Sequence, residues 1–291
     1  AMAMAGNRSN SSAASMVAAS SALHELVNAV GTSGRFTLEQ LLSAHRALMA
    51  DDPHEASYAG QLRDMQNWIG GSDHSPRGAL HVPPAPNRVA ELMEDLITYL
   101  NRDDVPVIAQ AAIGHAQFES IHPFTDGNGR IGRAMVSAVF RRRGVTRNAV
   151  VLLALRGDYF RALEAYRRGN PEAILSLFAR SARVAAECSR PTIARLKSIP
   201  DDWTAELRPR AGSAAATLIH AFYDHPVMGT EEIEARAGTA VSQAYRAVDR
   251  LVEAGYIEEI TGRKKNRVWV ASEPLAELDE LDRRIQAAML R

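Results

Sequence analysis

The chain has 291 residues and is balanced, with 34 Lys and Arg against 34 Asp and Glu. Zero formal net charge excludes a molecule that attracts nucleic acid or anionic membrane through its overall field, so any basic patch must be local. The length suits one large domain or two smaller ones. A single cysteine, Cys188, excludes an intrachain disulfide framework and agrees with a reducing compartment.

The opening stretch AMAMAGNRSNSSAASM has no basic region followed by an apolar one. It reads as a disordered Ser/Asn/Ala tail rather than a signal peptide. No apolar run approaches the roughly 18 residues of a membrane span, so the expected location is the cytoplasm, without a membrane partner. FTLEQLLSAHRALM carries Leu38, Leu41, Leu42, Leu48 and Met49 on one face and predicts a helix, with Ser33 or Thr37 as its cap. Residues 67–86 are rich in Gly and Pro, and short β-capable pieces at Trp68-Ile69 and Leu80-Val82 flank a polar tip. This pattern predicts a β-hairpin over a helical body. NRVAELMEDLITYLN is a clear amphipathic helix, and VIAQAAIGHAQFESIHPF, apolar nearly all round, predicts a buried central one. RIGRAMVSAVFRRRG predicts a helix stopped by Gly144, and two further helical segments extend to Ile199.

Near Arg210 the periodicity weakens and Pro and Asp accumulate. Beyond it the order is helix, helix, helix, then two strands around the basic turn TGRKKNR, which is the order of a winged helix-turn-helix. The expected organisation is a tail and N-terminal helix at 1–32, a helical core at 33–200, a linker at 201–210 and a small domain at 211–291. The fold class is mainly α.

The segment IHPFTDGNGRIGRAM (121–135) interrupts the helices with concentrated polarity. Asp126, Gly127, Asn128 and Gly129 form a tight turn that feeds into a helix. Backbone N–H groups there converge on an anion, and glycines let it approach. Arg130 and Arg133 lie three apart in the first turn, and guanidinium forks match phosphate oxygens. Asp126 supplies a hard oxygen suited to Mg²⁺ shared with phosphates, while His122 titrates near neutrality and can accept a proton from a hydroxyl. Taken singly, Asp-Gly-Asn-Gly is a common turn, paired arginines usually face solvent, and a lone His before Pro is usually a turn or core residue. Their conjunction points to phosphate chemistry.

HPFTDGNGRIGR (122–133) resembles the signature of Fic-domain proteins, His-Pro-Phe-x-(Asp/Glu)-Gly-Asn-Gly-Arg-x-x-Arg, at every defining position. The resemblance extends from about Phe36 to Ile199, and a winged helix follows the core in many bacterial members. It implies a helical Fic fold with a β-hairpin flap (67–86), in which Ile69, Gly70, Leu80, His81 and Val82 face nucleotide or target. It also implies transfer of AMP from ATP to a Ser, Thr or Tyr hydroxyl of a target protein, with self-modification as a variant. His122 would be the base, Asp126 would hold Mg²⁺, and Gly127, Asn128, Gly129 and Gly132 would belong to the phosphate-binding set, with Asn128 near the α-phosphate. Arg130 and Arg133 would neutralise the outer phosphates, and Tyr159 and Phe160 would form an aromatic wall for the base.

Two positions depart from the family pattern. Phe160 replaces a usual Tyr, and Arg167 stands where an Asn is frequent, which leaves the nucleotide preference open. The family's inhibitory helix has its nearest counterpart in SSALHELVN, where Ser21 and Glu25 have the right spacing but Leu26 replaces Gly or Asn. Glu25 is accordingly expected not to inhibit strongly. His115 and Glu119 read as core residues, and Cys188 as a small apolar filler.

Residues 211–291 hold ten Lys or Arg against thirteen Asp or Glu. The turn offers Arg263, Lys264, Lys265 and Arg267, and the presumed recognition helix offers Gln243, Tyr245, Arg246 and Arg250. DNA binding and a protein-docking or homodimer role both stay open for this segment. So do a nucleotide-sensing regulator and transfer or removal of another phosphate-containing group.

Overall fold

The computed structural model describes residues 11–72, 74–147, 158–263 and 265–290. The first ten residues of the expected tail, Gly157 and Lys264 lie outside the described residues. The protein is mainly helical and divides into two compact units, residues 15–183 and the residues from 184 onward, with which the N-terminal residues up to Ala14 are grouped.

The first unit holds α1 (Ser11–Ser33), α2 (Leu38–Met49), α3 (Pro86–Leu100), α4 (Val107–Ile121), α5 (Asn128–Arg142), α6 (Tyr159–Arg167) and the start of α7 (Glu172–Leu207). Residues 11–16, read as tail, are helical, in keeping with the helix propensity of their alanines. α2 opens with a capping box. Thr37 Oγ1 accepts from the Gln40 N–H, and the Gln40 side chain accepts from the Thr37 N–H. α4 packs against α3 and α5, with Ala111, Ala112, Ala116, Phe118 and Ile121 buried. Its small residues let its neighbours close in, and each buried aromatic nearby, such as Phe118 and Phe124, contributes roughly 1.5–3 kcal/mol. Gln110, buried at the start of α4, donates to the carbonyls of Tyr99, Leu100 and Arg102. It thereby satisfies orphan groups at the end of α3.

The hairpin over 67–86 takes a reduced form. Among the described residues there no strand forms; Ile69 and His81 make one antiparallel bridge, and Ser72 and Ser75 a second. Gly70, Gly71 and Gly78 turn the chain through positive φ, and Pro83 and Pro84 have no N–H to continue a ladder. Leu80 and Val82 are left exposed.

In the second unit the expected linker is helical, because α7 continues to Leu207 through Pro191 and Pro200. Its apolar stripe accounts for this. Ile199 and Trp203 are buried and Leu196 and Leu207 pack beside them, which outweighs the hydrogen bonds that the prolines remove. Trp203 stacks on Tyr256 with centroids 4.7 Å apart and donates to Glu273. The unit continues with α8 (Ala214–Asp224), β1 (Val227–Gly229), α9 (Thr230–Ala237), α10 (Val241–Glu253), β2 (Ile257–Glu259), β3 (Val268–Ala271) and α11 (Ser272–Met289). β3 is central in an antiparallel sheet of order β1-β3-β2, with Met228 opposite Trp269 and Glu258 opposite Val270. β1 was not legible as a strand, since only three residues pair there.

Arg63 is buried in the first unit, and among the described residues no carboxylate pairs with it. Its guanidinium donates to the carbonyls of Met65, Pro84, Ile121 and His122. One cation therefore ties the segment entering the flap, the segment leaving it and the C-terminal end of α4, where the helix dipole favours positive charge. Burial lowers its pKa from the ordinary arginine value. Arg63→Met should leave these carbonyls unpaired and destabilise the protein by about 3 kcal/mol, with a smaller loss for Arg63→Lys. A lower urea-unfolding midpoint at unchanged m is the expected reading.

Candidate active site

α4 ends at His122, whose backbone is left-handed at φ 49° and ψ 62°. That conformation is uncommon for a residue with a side chain and is further disfavoured before proline. It persists because the carbonyls that follow are held from elsewhere in the chain. Arg63 Nε donates to His122 O at 2.9 Å, and the Arg63 N–H donates to Pro123 O at 2.9 Å. Asn67 Nδ2 donates to Phe124 O at 3.0 Å. His45 Nε2 lies 3.1 Å from Asp126 O, while the Gly60 N–H donates to His45 Nδ1 at 2.9 Å. Since Nδ1 accepts, the proton sits on Nε2 and donates to the loop. The His45 ring also stacks on Phe124 at 3.9 Å and 4°. Burial keeps it neutral, with a pKa lowered to about 4.

Gly127, at φ 77°, ends the loop and is the N-cap of α5. A Cβ there would stand 3.1 Å from Leu48 and 3.3 Å from Met49, so both its conformation and its packing against α2 require glycine. No side chain caps this helix start. Its first N–H groups, with the positive end of the helix dipole, are of the kind that can receive an anion.

Asn128 does not turn its carboxamide toward that opening. The group is buried, with Oδ1 accepting from the Phe124 N–H and Nδ2 donating to Phe124 O. It therefore braces the loop instead of facing an α-phosphate. Gly132 likewise faces the interior, where a Cβ would stand 2.8 Å from Glu119 Oε1 and 3.2 Å from the His115 ring. It is a close-packing glycine rather than an anion contact. Gly129 is partly exposed at the helix start, near Arg133 Nη1. The two motif arginines diverge. Arg130 pairs with Asp126 at 3.0 Å, and Arg133 is exposed beside Gly129. Asp126 is exposed, and one accessible carboxylate beside an anion-binding helix start fits Mg²⁺ carried in with phosphates. Among the described residues no cluster of three or more His, Cys, Asp or Glu could form an all-protein cage.

His122 is half-buried, and its Nδ1 is shut off from solvent. Burial first, then the positive fields of His81, Arg63 and Arg167, lower its pKa to about 4. The imidazole is therefore neutral and able to accept a proton through the whole neutral range. Glu119 shows the opposite effect. Burial raises its pKa to about 7 against the pull of Arg133 and Arg167, and its Oε1 has no hydrogen-bond partner.

The base side differs from the expectation of two aromatic faces. Tyr159 turns inward to His115 Nε2 at 2.8 Å, and Phe160 alone stays exposed, 65% open. Arg167 donates to Ser120 Oγ and Glu119 O. His81, from the flap, lies 2.8 Å through Nε2 from Ser120 O. Ile69 and Gly70 hold the flap bridge and turn, and Leu80 and Val82 point to solvent. Glu25 is exposed on α1, in surface depressions lined by residues of α1, Thr37 and α2. No residue of 122–133 shares those depressions. Sequence reading missed His45, Arg63 and Asn67, whose partners lie tens of residues away, and took Glu119 only as a core residue. The one signal available was a polar residue placed in an otherwise apolar stretch.

Residues 35–140 match the Fic/DOC family. The chain is similar to the protein adenylyltransferase Fic of Drosophila erecta, 28% identical over 161 residues that cover 54% of this chain and 28% of that protein. It is also similar to the protein adenylyltransferase fic-1 of Caenorhabditis elegans, 28% identical over 138 residues that cover 46% of this chain and 25% of that protein. The chain thus spans little more than a quarter of the length of these curated relatives. A Fic family protein from Desulfovibrio desulfuricans G20 aligns in structure with TM-score 0.47 and 21% identity, covering 87% of this chain and 73% of that one. HPFTDGNGRIGR, with the uncapped start of α5 inside it and a neutral histidine at its edge, falls within the residues that match.

Proposed function

We propose that this protein transfers AMP from ATP to a Ser, Thr or Tyr hydroxyl of a target protein. The observation that carries this reading is the uncapped N-terminus of α5 beside a histidine held neutral. The helix start and Arg133 receive the outer phosphates, and Arg130 joins them by exchanging Asp126 for phosphate oxygen. With Nδ1 sealed, His122 takes the acceptor proton at Nε2. The acceptor oxygen forms a bond to the α-phosphorus, the bond from that phosphorus to the bridging oxygen breaks, and pyrophosphate leaves. Asp126 is the residue that would hold Mg²⁺, which when bound supplies charge neutralisation to the phosphates. The names of the curated relatives, protein adenylyltransferase, support the same reading.

A second reading concerns residues 211–291, as a winged helix that binds DNA while the first unit senses nucleotide. Arg263 and Lys265 in the turn between β2 and β3, and Gln243 and Arg246 on α10, are exposed. Arg267 is instead held over Trp269 at 4.7 Å, Tyr245 donates to Glu234, and Arg250 donates to Leu207 O. Binding of duplex DNA at physiological salt that tracks its sequence supports this reading. Shifts that vanish with salt and ignore sequence favour a protein-docking or dimer role.

His122→Ala should lower label transfer from α-labelled ATP to lysate proteins or to the enzyme itself by 10²-fold or more, on the order typical of a lost general base. Equal labelling by the variant would sink the proposal. Because the His122 pKa is about 4, the base form persists as pH falls from 8. The acid limb of kcat/KM should therefore lie below about pH 5, not near the usual histidine value of about 6.5.

A further inference from the structure

Glu119 is a titratable side chain that the proposed transfer does not use. It lies on the last turn of α4, 7% exposed, and its Oε1 has no hydrogen-bond partner. That oxygen rests against the start of α5. It is 2.8 Å from where a Cβ on Gly132 would stand and 3.9 Å from the same point on Gly129, which is itself 3.3 Å from Arg133 Nη1. Glycine at both positions is what lets the carboxyl come so close to the uncapped helix start. Charged and titratable neighbours surround it. α5 brings Arg133, α6 brings Arg167 and Tyr159, and α4 itself carries His115, with His122 at its end. Arg167 lines a cleft of about 710 Å³ between the flap and α3, α4 and α6, and donates to Ser120 Oγ and Glu119 O. Among the described residues neither guanidinium forms an ion pair with the Glu119 carboxyl. The acid therefore feels two positive fields while its Oε1 is given no hydrogen bond.

A buried carboxylate without a donor is poorly stabilised, and here the loss of water outweighs the guanidiniums, so Glu119 titrates at about 7. At neutral pH it is divided between its two forms. Its neighbours are not divided. His115 and His122, with pKa values of about 4, are neutral, and burial pushes the Tyr159 phenol up. A polyphosphate at the start of α5 would bring several negative charges next to this carboxyl, and like charge disfavours the ionised form. We propose that Glu119 is a positioning residue for the outer phosphates: it takes up a proton from solvent as they arrive, so that Arg133 serves the ligand alone. The proton returns to solvent when the ligand leaves. This deepens the transferase reading and rests on it for the place of the phosphates. Linkage is reciprocal, so ligand affinity is full where Glu119 is already protonated and falls as pH rises through its titration.

Calorimetry on the full chain counts the proton. The probe is α,β-methylene ATP with Mg²⁺, whose α–β link does not break, so binding is read without transfer. Titrations in two buffers of different ionisation enthalpy give the protons taken up per ligand. At about pH 7.5 the wild type should take up about half a proton more than Glu119→Gln, which keeps the side chain's size and has no proton to gain. The difference cancels the ionisation of the probe itself. Wild-type affinity relative to Glu119→Gln should fall about tenfold between about pH 6 and about pH 9, the factor that one pKa unit of coupling produces. AMP, which lacks the outer phosphates, should bind with little difference in uptake. In wild type labelled at the glutamate carboxyl carbons, NMR should show a carboxyl that titrates near neutrality and moves to higher pH with the probe, a readout that needs no variant to fold. Equal uptake by wild type and Glu119→Gln overturns the proposal. So does an AMP difference as large as that of the probe, or a spectrum in which no such carboxyl moves. Failure of the probe to bind overturns it together with the reading of the α5 start as a polyphosphate site. Loss of label transfer in the assay of the preceding section, with uptake intact, bears on the transferase reading alone.

Discussion

The site depends on hydrogen bonds to the carbonyls of one irregular loop. Between the end of α4 and the start of α5 the chain has no regular structure to satisfy its backbone, and much of this stretch is buried. Arg63 holds the carbonyl of His122 by its side chain and that of Pro123 by its N–H, Asn67 and Asn128 hold that of Phe124, and His45 holds that of Asp126. Unpaired buried carbonyls would each cost about 1–3 kcal/mol, so the loop has little freedom to relax. The carbonyls are drawn inward while the uncapped N–H groups remain at the head of α5. On the proposed reading, a loop organised in this way can meet an anion with little backbone reorganisation, which is the condition for electrostatic catalysis.

Burial sets the charges around the loop. His45, His115 and His122 are all driven neutral. Glu119 is pushed toward its neutral form by the same loss of water. Fixed positive charge around the loop is then left to guanidiniums, which do not lose their protons in this range. Arg63 supports the flap and His122, Arg130 and Arg133 flank the helix start, and Arg167 lines the cleft. On the proposed reading Arg130 and Arg133 sit where phosphate would arrive, while Arg63 is taken up by backbone carbonyls and His122, already neutral, has no proton to lose first.

Much of this was legible from residue order. The amphipathic helices followed their period, and the buried α4 announced itself by small apolar residues on all sides. The motif held its chemistry in one contiguous stretch. Other features were illegible for identifiable reasons. The flap reads as two strands, but among the described residues it makes two isolated bridges, since its glycines turn the chain and its prolines lack a donor. Residues 201–207 read as a linker because proline argues against helix, yet the burial of Ile199 and Trp203 carries α7 through them.

The sequence by itself determined the helical class, the glycine turn at 126–129 that opens α5 and the likeness of residues 35–140 to the Fic/DOC family, because these depend on local spacing and turn chemistry. Only the tertiary structure decided which way each motif side chain faces. Asn128 turned inward to brace Phe124, Gly132 made room for Glu119, Arg130 paired with Asp126, and Tyr159 gave its hydroxyl to His115. It also brought in His45, Arg63 and Asn67, residues that no motif spacing connects to His122. The reason is that a hydrogen bond to a loop carbonyl needs proximity in space, and the period of one chain segment carries no information about which distant segment will supply the donor.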